Sequence, residues 1–230
     1  STMFKYSRSA NTAILMTIII HKTSVSPPAR ATLMVVDILG LKVETREVNL
    51  PTRDQFKPDY LKKNPLHSVP LLEDGDLVLA DSHAINAYLV SAYGNEEQAK
   101  LYPKTPKLRA IVDQRLYFDA TILFPRLRSV IYGVVKNRTR ISNDQVNDIV
   151  EAYDITEKYL DTTTFIAGND LTLADISCVA TLSALDCIIP IDKKYVKLHV
   201  WWNRLKKESW YQKENVPGMT LFAGFIRQFL

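Results

Sequence analysis

The pattern of apolar and polar residues divides the chain into two parts. Over residues 17–93, short β-branched or alternating runs are interspersed with helical stretches, whereas from residue 106 onward apolar residues recur only at helical spacing. This pattern predicts an α/β domain over 17–93, a polar linker over 94–105 and an all-helical domain over 106–230. Residues 1–16 are predicted to form a polar N-terminal extension.

The first part predicts a β-α-β-α-β-β-α order. The isoleucine run that begins the domain is typical of a buried strand, and the long apolar run that Gly40 ends is typical of a buried helix. Helical crossovers imply parallel strands, while the Asp74-Gly75 turn implies an antiparallel hairpin. The predicted elements are a strand at 17–20, a helix at 29–39, a strand at 41–48, a helix at 55–63, a hairpin at 71–79 and a helix at 83–92 that Asp81 and Ser82 cap.

The second part predicts helices alone. Pro125 is expected to bend or interrupt a long first helix. Thr172 and Asp175 form a capping box, with Asp in place of the usual Glu, at the start of an apolar helix. The predicted helical stretches are 106–134, 144–160, 174–188, 194–207 and a last helix within 216–230.

Composition narrows the function classes. Of 230 residues, 47% are hydrophobic and 23% are charged, the balance of a globular protein, and the net charge of +4 is spread without a dense basic run, which disfavours nucleic acid as a partner. Cys178 and Cys187 form no C-x-x-C motif and are interpreted as core residues in a reducing, cytoplasmic compartment.

The N-terminus has some features of a secretory signal. Lys5 and Arg8 precede the apolar stretch 13–20. No small-residue cleavage site follows, and the stretch is too short to span a bilayer. We therefore interpret it as a strand that follows an extension, with no membrane partner.

Ser26 is the first candidate for chemistry. It lies between the isoleucine strand and the first helix, and Pro27 and Pro28 after it suit a first helical turn. Unpaired backbone N–H groups and the positive end of a helix dipole stabilise an anion at such a position. A serine there is also a common N-cap, and these residues alone leave both interpretations open.

Five local motifs occur in an order that points to a family. They are Ser26-Pro27-Pro28-x-Arg30, N-P-L-H-S-V-P at 64–70, D-S-H-A-I at 81–85, L-Y-P at 101–103 and L-A-D-I-S at 173–177. In combination, the chain resembles the cytosolic glutathione transferases, in particular the insect delta and epsilon classes, and is more similar to epsilon. The resemblance implies a thioredoxin-like N-terminal domain, an all-α C-terminal domain, a homodimer and glutathione as cosubstrate. No motif for a metal or a nucleotide is present.

The resemblance implies that Ser26 is the catalytic residue. Its hydroxyl would donate a hydrogen bond to the sulfur of glutathione and stabilise the thiolate. A free thiol has a pKa of about 8.5, so little of it is ionised at neutral pH without such help.

The resemblance also implies a set of glutathione-binding residues. Val69, before a cis-proline, would pair with the cysteinyl main chain, and Asp81 with Ser82 would hold the γ-glutamyl end. His67 would hold the glycyl carboxylate, helped by Gln55, which stands where the epsilon pattern usually has a second histidine. The full set is Gln55, His67, Val69, Pro70, Asp81, Ser82 and Arg128.

A hydrophobic second-substrate site is expected between Ser26 and the helical domain. The residues that the resemblance assigns to its lining are Val25, Pro27, Phe124, Leu127, Ile131, Phe222 and Phe225. The first strand ends His21-Lys22-Thr23, where relatives usually carry an aromatic residue, so the near wall of the site is expected to differ.

The sequence leaves two functions open, and they belong to different classes of protein. The first is an enzyme, a glutathione S-transferase that transfers the thiolate to a hydrophobic electrophile. The alternative is a non-catalytic or weakly catalytic binding protein of the same fold for a hormone or xenobiotic. Thiol–disulfide chemistry ranks last because no cysteine lies near residue 26.

Overall fold

A four-stranded mixed sheet forms the centre of the first part of the chain. The structure is a computed structural model and describes residues 17–230, so the predicted extension 1–16 lies outside the described residues. The strands are β1 (Ile18–Lys22), β2 (Val43–Glu47), β3 (Leu71–Asp74) and β4 (Leu77–Ala80), in the order β2-β1-β3-β4. β2 runs parallel to β1, while β3 pairs antiparallel with β1 and with β4, which confirms the predicted crossover and hairpin.

Three helices accompany this sheet: α1 (Pro27–Leu39), α2 (Pro58–Lys63) and α3 (Ser82–Tyr93). α1 begins two residues before the predicted start because Pro27 and Pro28 occupy its first turn, where a missing N–H group costs no hydrogen bond. It ends at Gly40, whose φ of 65° is the left-handed conformation that favours glycine. The predicted helix 55–63 is a 3₁₀ turn, Asp54–Phe56, followed by α2.

Seven helices follow in the second part, and one of them was not predicted. The long stretch after residue 106 contains a π-helical turn, Asp119–Leu123, directly before Pro125, and a second one, Tyr132–Lys136. The additional helix is α9. The helices are α4 (Pro106–Phe118), α5 (Phe124–Ile131), α6 (Asn143–Tyr159), α7 (Leu173–Asp186), α8 (Val196–Leu205), α9 (Ser209–Glu214) and α10 (Val216–Ile226).

The helix α7 lies inside the core, and Asp175 organises its start. Every residue from 173 to 185 is buried. The Asp175 carboxylate accepts hydrogen bonds from the backbone N–H of Thr172 at 2.9 Å and from Trp201 Nε1 at 2.8 Å, and it also accepts from the backbone N–H of Ile166. The predicted capping box is present, and it joins α7 to α8.

The two parts of the chain share one hydrophobic core. A single cluster of buried side chains extends from Ile20 in β1 to Phe222 in α10, and α1 packs directly on α7 and α9. The N-terminus of α1, where Ser26 lies, is therefore placed at the boundary between the sheet and the helical part.

Candidate functional site

A cavity of about 590 Å³ opens at the N-terminus of α1, and we call it the Ser26 cavity. Its volume is typical of a small-molecule site. Eight residues of the predicted site line it: Ser26, Gln55, His67, Val69, Asp81, Ser82, Phe124 and Arg128. Seven lining residues were not predicted: Pro28, Leu50, Pro65, Leu66, Ser68, His83 and Ala120.

Ser26 both caps α1 and faces the cavity. Its Oγ accepts a hydrogen bond from the Ala29 N–H at 3.4 Å, which is long for such a bond, and its side chain is half-buried. Among the described residues, no acceptor takes the proton of this hydroxyl. The thirteen-residue helix directs its positive dipole end here. The capping interpretation therefore holds, and it leaves the hydroxyl free to donate.

The loop that carries Val69 is held by two buried side chains. The Asn64 side chain donates to the Ser68 carbonyl at 2.9 Å and accepts from the Leu66 N–H at 3.0 Å. The Tyr60 hydroxyl donates to the same Ser68 carbonyl at 2.6 Å. The Val69–Pro70 peptide is cis, and Pro70 is buried while Val69 lines the cavity. Sequence reasoning gave Asn64 and Tyr60 no role, although the Asn-Pro pair signals a structured turn.

Asp81 stands at the start of α3 in an unusual backbone conformation. Its φ of 76° and ψ of 121° are rare for a residue other than glycine. Its carboxylate accepts from the N–H groups of His83 at 2.9 Å and Ala84 at 3.1 Å, so Asp81 is the N-cap, as predicted. Backbone strain of this kind is concentrated at functional sites, and Asp81 lies on the cavity wall.

His83 lies between two carboxylates. Its Nε2 is 2.8 Å from Asp119 Oδ2, and its Nδ1 is 3.3 Å from Asp81 Oδ1. Burial alone lowers the pKa of this imidazole, but the bonds to the two carboxylates outweigh it and raise the pKa to about 10. The Asp81 carboxyl, which burial would make harder to ionise, has a lowered pKa because of His83 and the two N–H groups.

This arrangement places a cation within the cavity wall at neutral pH. Neither His83 nor Asp119 was among the predicted site residues. The π-helical turn that carries Asp119 brings it to α3 from 36 residues farther along the chain, and no local sequence signal predicts that contact.

Gln55 and His67 both line the cavity. The Gln55 Oε1 atom is buried and has no hydrogen-bond partner among the described residues. His67 has a φ of 45°, and its ring centroid is 4.7 Å from that of Phe56. An unpaired buried acceptor beside an exposed imidazole suits a ligand that offers both N–H and carboxylate groups.

The two arginines of α5 have separate surroundings. Arg128 is exposed and lines the cavity, so it meets no desolvation cost. Arg126 forms an ion pair with Glu151 on α6 and donates to the Asp148 carbonyl. The structure thus directs Arg128 toward the cavity and Arg126 toward α6.

Most of the predicted hydrophobic lining does not reach the cavity. Phe124 lines it, because Phe124 and Arg128 are four residues apart on one face of α5. Leu127 and Phe222 instead lie in the core, at 0% and 3% exposure. The others outside the cavity are Val25 and Ile131, partly buried against the core, Pro27, which is buried where Pro28 lines the cavity, and Phe225, which packs on Phe229.

His21 does not form the near wall of the cavity. Its Nε2 bonds to Glu73 on β3, and its ring packs edge-on against Tyr60 at 5.7 Å between centroids. His21, which stands where relatives usually carry an aromatic residue, thus makes its contacts with β3 and Tyr60.

The fold and the site together define an architecture: a thioredoxin-like domain, a helical domain and, at the N-terminus of α1, a cavity that both polar and apolar residues line. Residues 20–91 match the family profile of the glutathione S-transferase N-terminal domain, and residues 126–208 match that of the C-terminal domain. Glutathione S-transferase 1 of Manduca sexta is 44% identical over 215 residues, which cover 92% of this chain and 98% of that protein.

Solved structures show the same similarity. An epsilon-class glutathione S-transferase from the housefly, Musca domestica, is 37% identical with a TM-score of 0.89, covering 92% of this chain and 98% of that one. A glutathione transferase homolog from Drosophila mojavensis with bound glutathione is 40% identical with a TM-score of 0.89, covering 93% and 97%. The chain belongs to the glutathione S-transferase family of enzymes, and the predicted likeness to the insect epsilon class is confirmed.

Over residues 17–230, no helix combines the length and apolarity needed to cross a membrane.

Proposed function

We propose that this glutathione S-transferase stabilises the glutathione thiolate with the Ser26 hydroxyl and transfers it to a hydrophobic electrophile. The observation that carries the proposal is that the Ser26 hydroxyl, at the N-terminus of α1, lines a cavity and donates to no acceptor among residues 17–230. A donor and a helix dipole both favour the charged form of a bound thiol, which lowers its pKa.

The reaction follows from that geometry. The bound thiol releases its proton to solvent, and the Ser26 hydroxyl donates a hydrogen bond to the resulting sulfur anion. The sulfur lone pair then forms a C–S bond with the electrophilic carbon. The displaced electron pair leaves with the leaving group or, in an addition, moves to the adjacent atom and is protonated. Ser26 forms no covalent bond and acts on the thiol equilibrium alone.

The other polar residues of the cavity would position the tripeptide. Asp81 would accept from the γ-glutamyl ammonium group, and Ser82 at the N-terminus of the twelve-residue α3 would bind its carboxylate. The backbone of Val69 would pair with the cysteinyl main chain, and His67 with Gln55 would contact the glycyl end. Arg128 would approach the bound tripeptide from α5. The homolog from Drosophila mojavensis has bound glutathione, which supports glutathione as the ligand of this family member.

The hydrophobic electrophile would bind on the α5 side of Ser26. Phe124, on α5, lines the cavity, and Pro28, Leu50 and Leu66 add further apolar surface to its lining. Of the predicted apolar lining, the proposal retains Phe124 and adds Pro28.

An ultraviolet titration of the thiolate absorbance of bound glutathione tests the role of Ser26. In the unmodified protein we expect a thiol pKa well below the free value of about 8.5, and in Ser26→Ala a pKa that returns toward it. Ser24→Ala is the matched control, because its hydroxyl accepts from Lys22 at 2.9 Å and does not line the Ser26 cavity.

Two results would contradict the proposal in different ways. A saturable complex with an unshifted thiol would favour the binding-protein alternative. A shifted thiol that Ser26→Ala leaves unchanged would mean that another group stabilises the thiolate.

We also propose a homodimer in the cytoplasm, on the basis of the family resemblance. The free thiols of Cys178 and Cys187 suit a reducing compartment. Size-exclusion chromatography with light scattering should give twice the 26.2 kDa of one chain. A single-chain mass at micromolar concentration would contradict the dimer.

A further inference from the structure

Arg30 is a fully buried cation, and its hydrogen-bond acceptors among residues 17–230 are all neutral. Its side chain is 0% exposed. Its Nη1 donates to the Val25 carbonyl at 2.9 Å, its Nε to Asn215 Oδ1 at 2.8 Å and its Nη2 to the Ala180 carbonyl at 3.1 Å. Burial lowers the pKa of Arg30 to about 10, which still leaves it charged at neutral pH. Burying a charge without a carboxylate partner costs free energy of folding, so Arg30 is buried despite a free-energy penalty.

The acceptors of Arg30 belong to a closed ring of hydrogen bonds in the helical part. The Asn215 side chain donates to Ser183 Oγ at 3.2 Å, and the Ser183 hydroxyl donates to the Ala180 carbonyl at 2.9 Å. Arg30 closes the ring, since it donates to both Asn215 and Ala180. We call these four residues, Arg30, Ala180, Ser183 and Asn215, the Arg30 ring.

The third bond of Arg30 leads to the proposed catalytic residue. The Val25 carbonyl belongs to the peptide whose N–H is that of Ser26. The backbone of Arg30 also donates to the Ser26 carbonyl at 3.0 Å. Both peptide groups that flank the Ser26 side chain are therefore bonded to Arg30, one through its guanidinium and one through its N–H.

The C-terminal helix closes on the same loop. A Cβ atom added at Gly218 of α10 would lie 2.0 Å from the Ser24 carbonyl oxygen and 2.7 Å from Arg30 Cδ. The loop before Ser26 is thus in close contact with α10. Arg30 also connects this loop to α7 and to Asn215 through its hydrogen bonds.

We propose that Arg30 is a positioning residue, through which the helical part of the chain sets the orientation of the Ser26 hydroxyl toward the bound thiol. The inference rests on the proposed role of Ser26. It explains why a cation is buried one helical turn after Ser26, with hydrogen bonds that reach across to α7 and to the α9–α10 junction.

The test weakens the ring without touching the cavity. Asn215→Ala removes the acceptor of Arg30 Nε, and Ser183→Ala is the milder variant that opens the ring at one hydroxyl. We expect the pKa of the bound glutathione thiol to rise by about half a unit or more in Asn215→Ala, a roughly threefold loss of thiolate, and by less in Ser183→Ala. The pH profile of kcat should shift to higher pH, while KM for glutathione changes little.

Gln98→Ala is the matched control. Gln98 donates to the Ile38 carbonyl at 2.9 Å, a tertiary hydrogen bond to the opposite end of α1. A purely structural role for the ring predicts that Asn215→Ala and Gln98→Ala both lower the melting temperature and that neither changes the thiol pKa. That result would overturn the inference.

A double variant separates this inference from the proposed function. If the ring acts through Ser26, Asn215→Ala should add no further shift in thiol pKa in the Ser26→Ala background, because the hydroxyl it positions is gone. An equal shift in both backgrounds would overturn the inference and leave the role of Ser26 intact. A Ser26→Ala variant whose bound thiol keeps the same lowered pKa as in the unmodified protein would instead refute the proposed role of Ser26 itself.

Discussion

At the residue scale, the charge of His83 has a consequence for stability. The imidazole is held by Asp81 and Asp119, and its pKa is raised from 6.5 to about 10. A group whose pKa is higher in the folded state stabilises the fold fully below its unfolded pKa, and this contribution disappears as the pH rises through the folded pKa. The loss therefore falls between about pH 6.5 and pH 10.

We expect His83→Gln to lower the free energy of unfolding at pH 7 by on the order of 2–3 kcal/mol, because it removes the cation that pairs with the buried Asp119 carboxylate. The variant should also lose most of the decline in stability between pH 7 and pH 10. Urea denaturation at several pH values measures both effects. His199→Gln is the control, since the partly buried His199 bonds through Nε2 to the Asp192 carbonyl and not to a carboxylate in the part of the chain that the structure describes. An unchanged pH dependence in His83→Gln would show that His83 is neutral in the fold.

The unpaired Oε1 of Gln55 leads to a second prediction at this scale. Gln55→His would place an imidazole near the proposed glycyl carboxylate, and this imidazole is charged below about pH 6.5. We expect KM for glutathione to fall by roughly threefold at pH 6 and less at pH 8, since a charge-assisted hydrogen bond is stronger than a neutral one.

Steady-state kinetics at the two pH values measures this effect, with Gln212→His on the surface of α9 as the control. A KM that changes equally at both pH values would argue against a charged contact at residue 55.

At the scale of elements, the contact between α10 and the loop before Ser26 depends on one glycine. A Cβ atom added at Gly218 would lie 2.0 Å from the Ser24 carbonyl oxygen. Any side chain at this position would therefore force the backbone of one of the two elements to move. For Gly224 of the same helix, an added Cβ would have no atom of the described residues within 4 Å apart from its chain neighbours and its own helix backbone. We therefore expect alanine to have opposite effects on stability at these two positions of α10.

Gly218→Ala should destabilise the protein by about 1–3 kcal/mol because it overpacks this contact. Gly224→Ala should be neutral or stabilise by up to about 1 kcal/mol, as helix propensity predicts. Thermal denaturation of the two variants measures the contrast. If both variants gain stability, the close approach of α10 to Ser24 is not present in solution.

At the scale of the whole molecule, one hydrophobic core joins the sheet to the helices. The cluster includes Ile18 and Ile20 from β1 together with Trp201, Phe222 and Ile226 from the last helices. Continuity of this kind favours a single cooperative unfolding transition. The three tryptophans, Trp201, Trp202 and Trp210, all lie in the helical part, whereas most of the proposed glutathione contacts lie in the first.

We therefore expect glutathione to move the tryptophan fluorescence transition to higher urea, together with the circular dichroism transition. At a glutathione concentration of 100 times Kd the gain is about 2.7 kcal/mol. S-methylglutathione is the control, because it lacks the reducing thiol and should give a similar shift. If glutathione does not change the urea concentration of the tryptophan fluorescence transition, the two parts of the chain unfold separately.

Local signals in the sequence predicted the elements that frame the site. The Pro27-Pro28 start and Gly40 end of α1, the Asp74-Gly75 hairpin and the Asp81 cap are each decided by the backbone preferences of a few adjacent residues. Such preferences act within a turn or two of the chain, so they are readable without the fold. The resemblance in five motifs then predicted which polar residues gather at the N-terminus of α1.

Local sequence preferences could not predict contacts between residues that lie far apart in the chain. Whether Pro27 or Pro28 borders the cavity, and whether Phe124 or Leu127 does, depends on how α1 and α5 are rotated about their axes in the packed core. The π-helical turn that presents Asp119 to His83 is likewise a product of packing.

The sequence by itself determined the strand and helix order, the family and the position of Ser26 at a helix start, because these depend on short-range preferences and contiguous motifs. Only the tertiary structure decided the charge of His83, the unpaired Gln55 oxygen and the burial of Arg30 between α1, α7 and Asn215. Each of these depends on a partner or on desolvation that folding brings from far along the chain, and the free energy of a buried polar group is set by those neighbours.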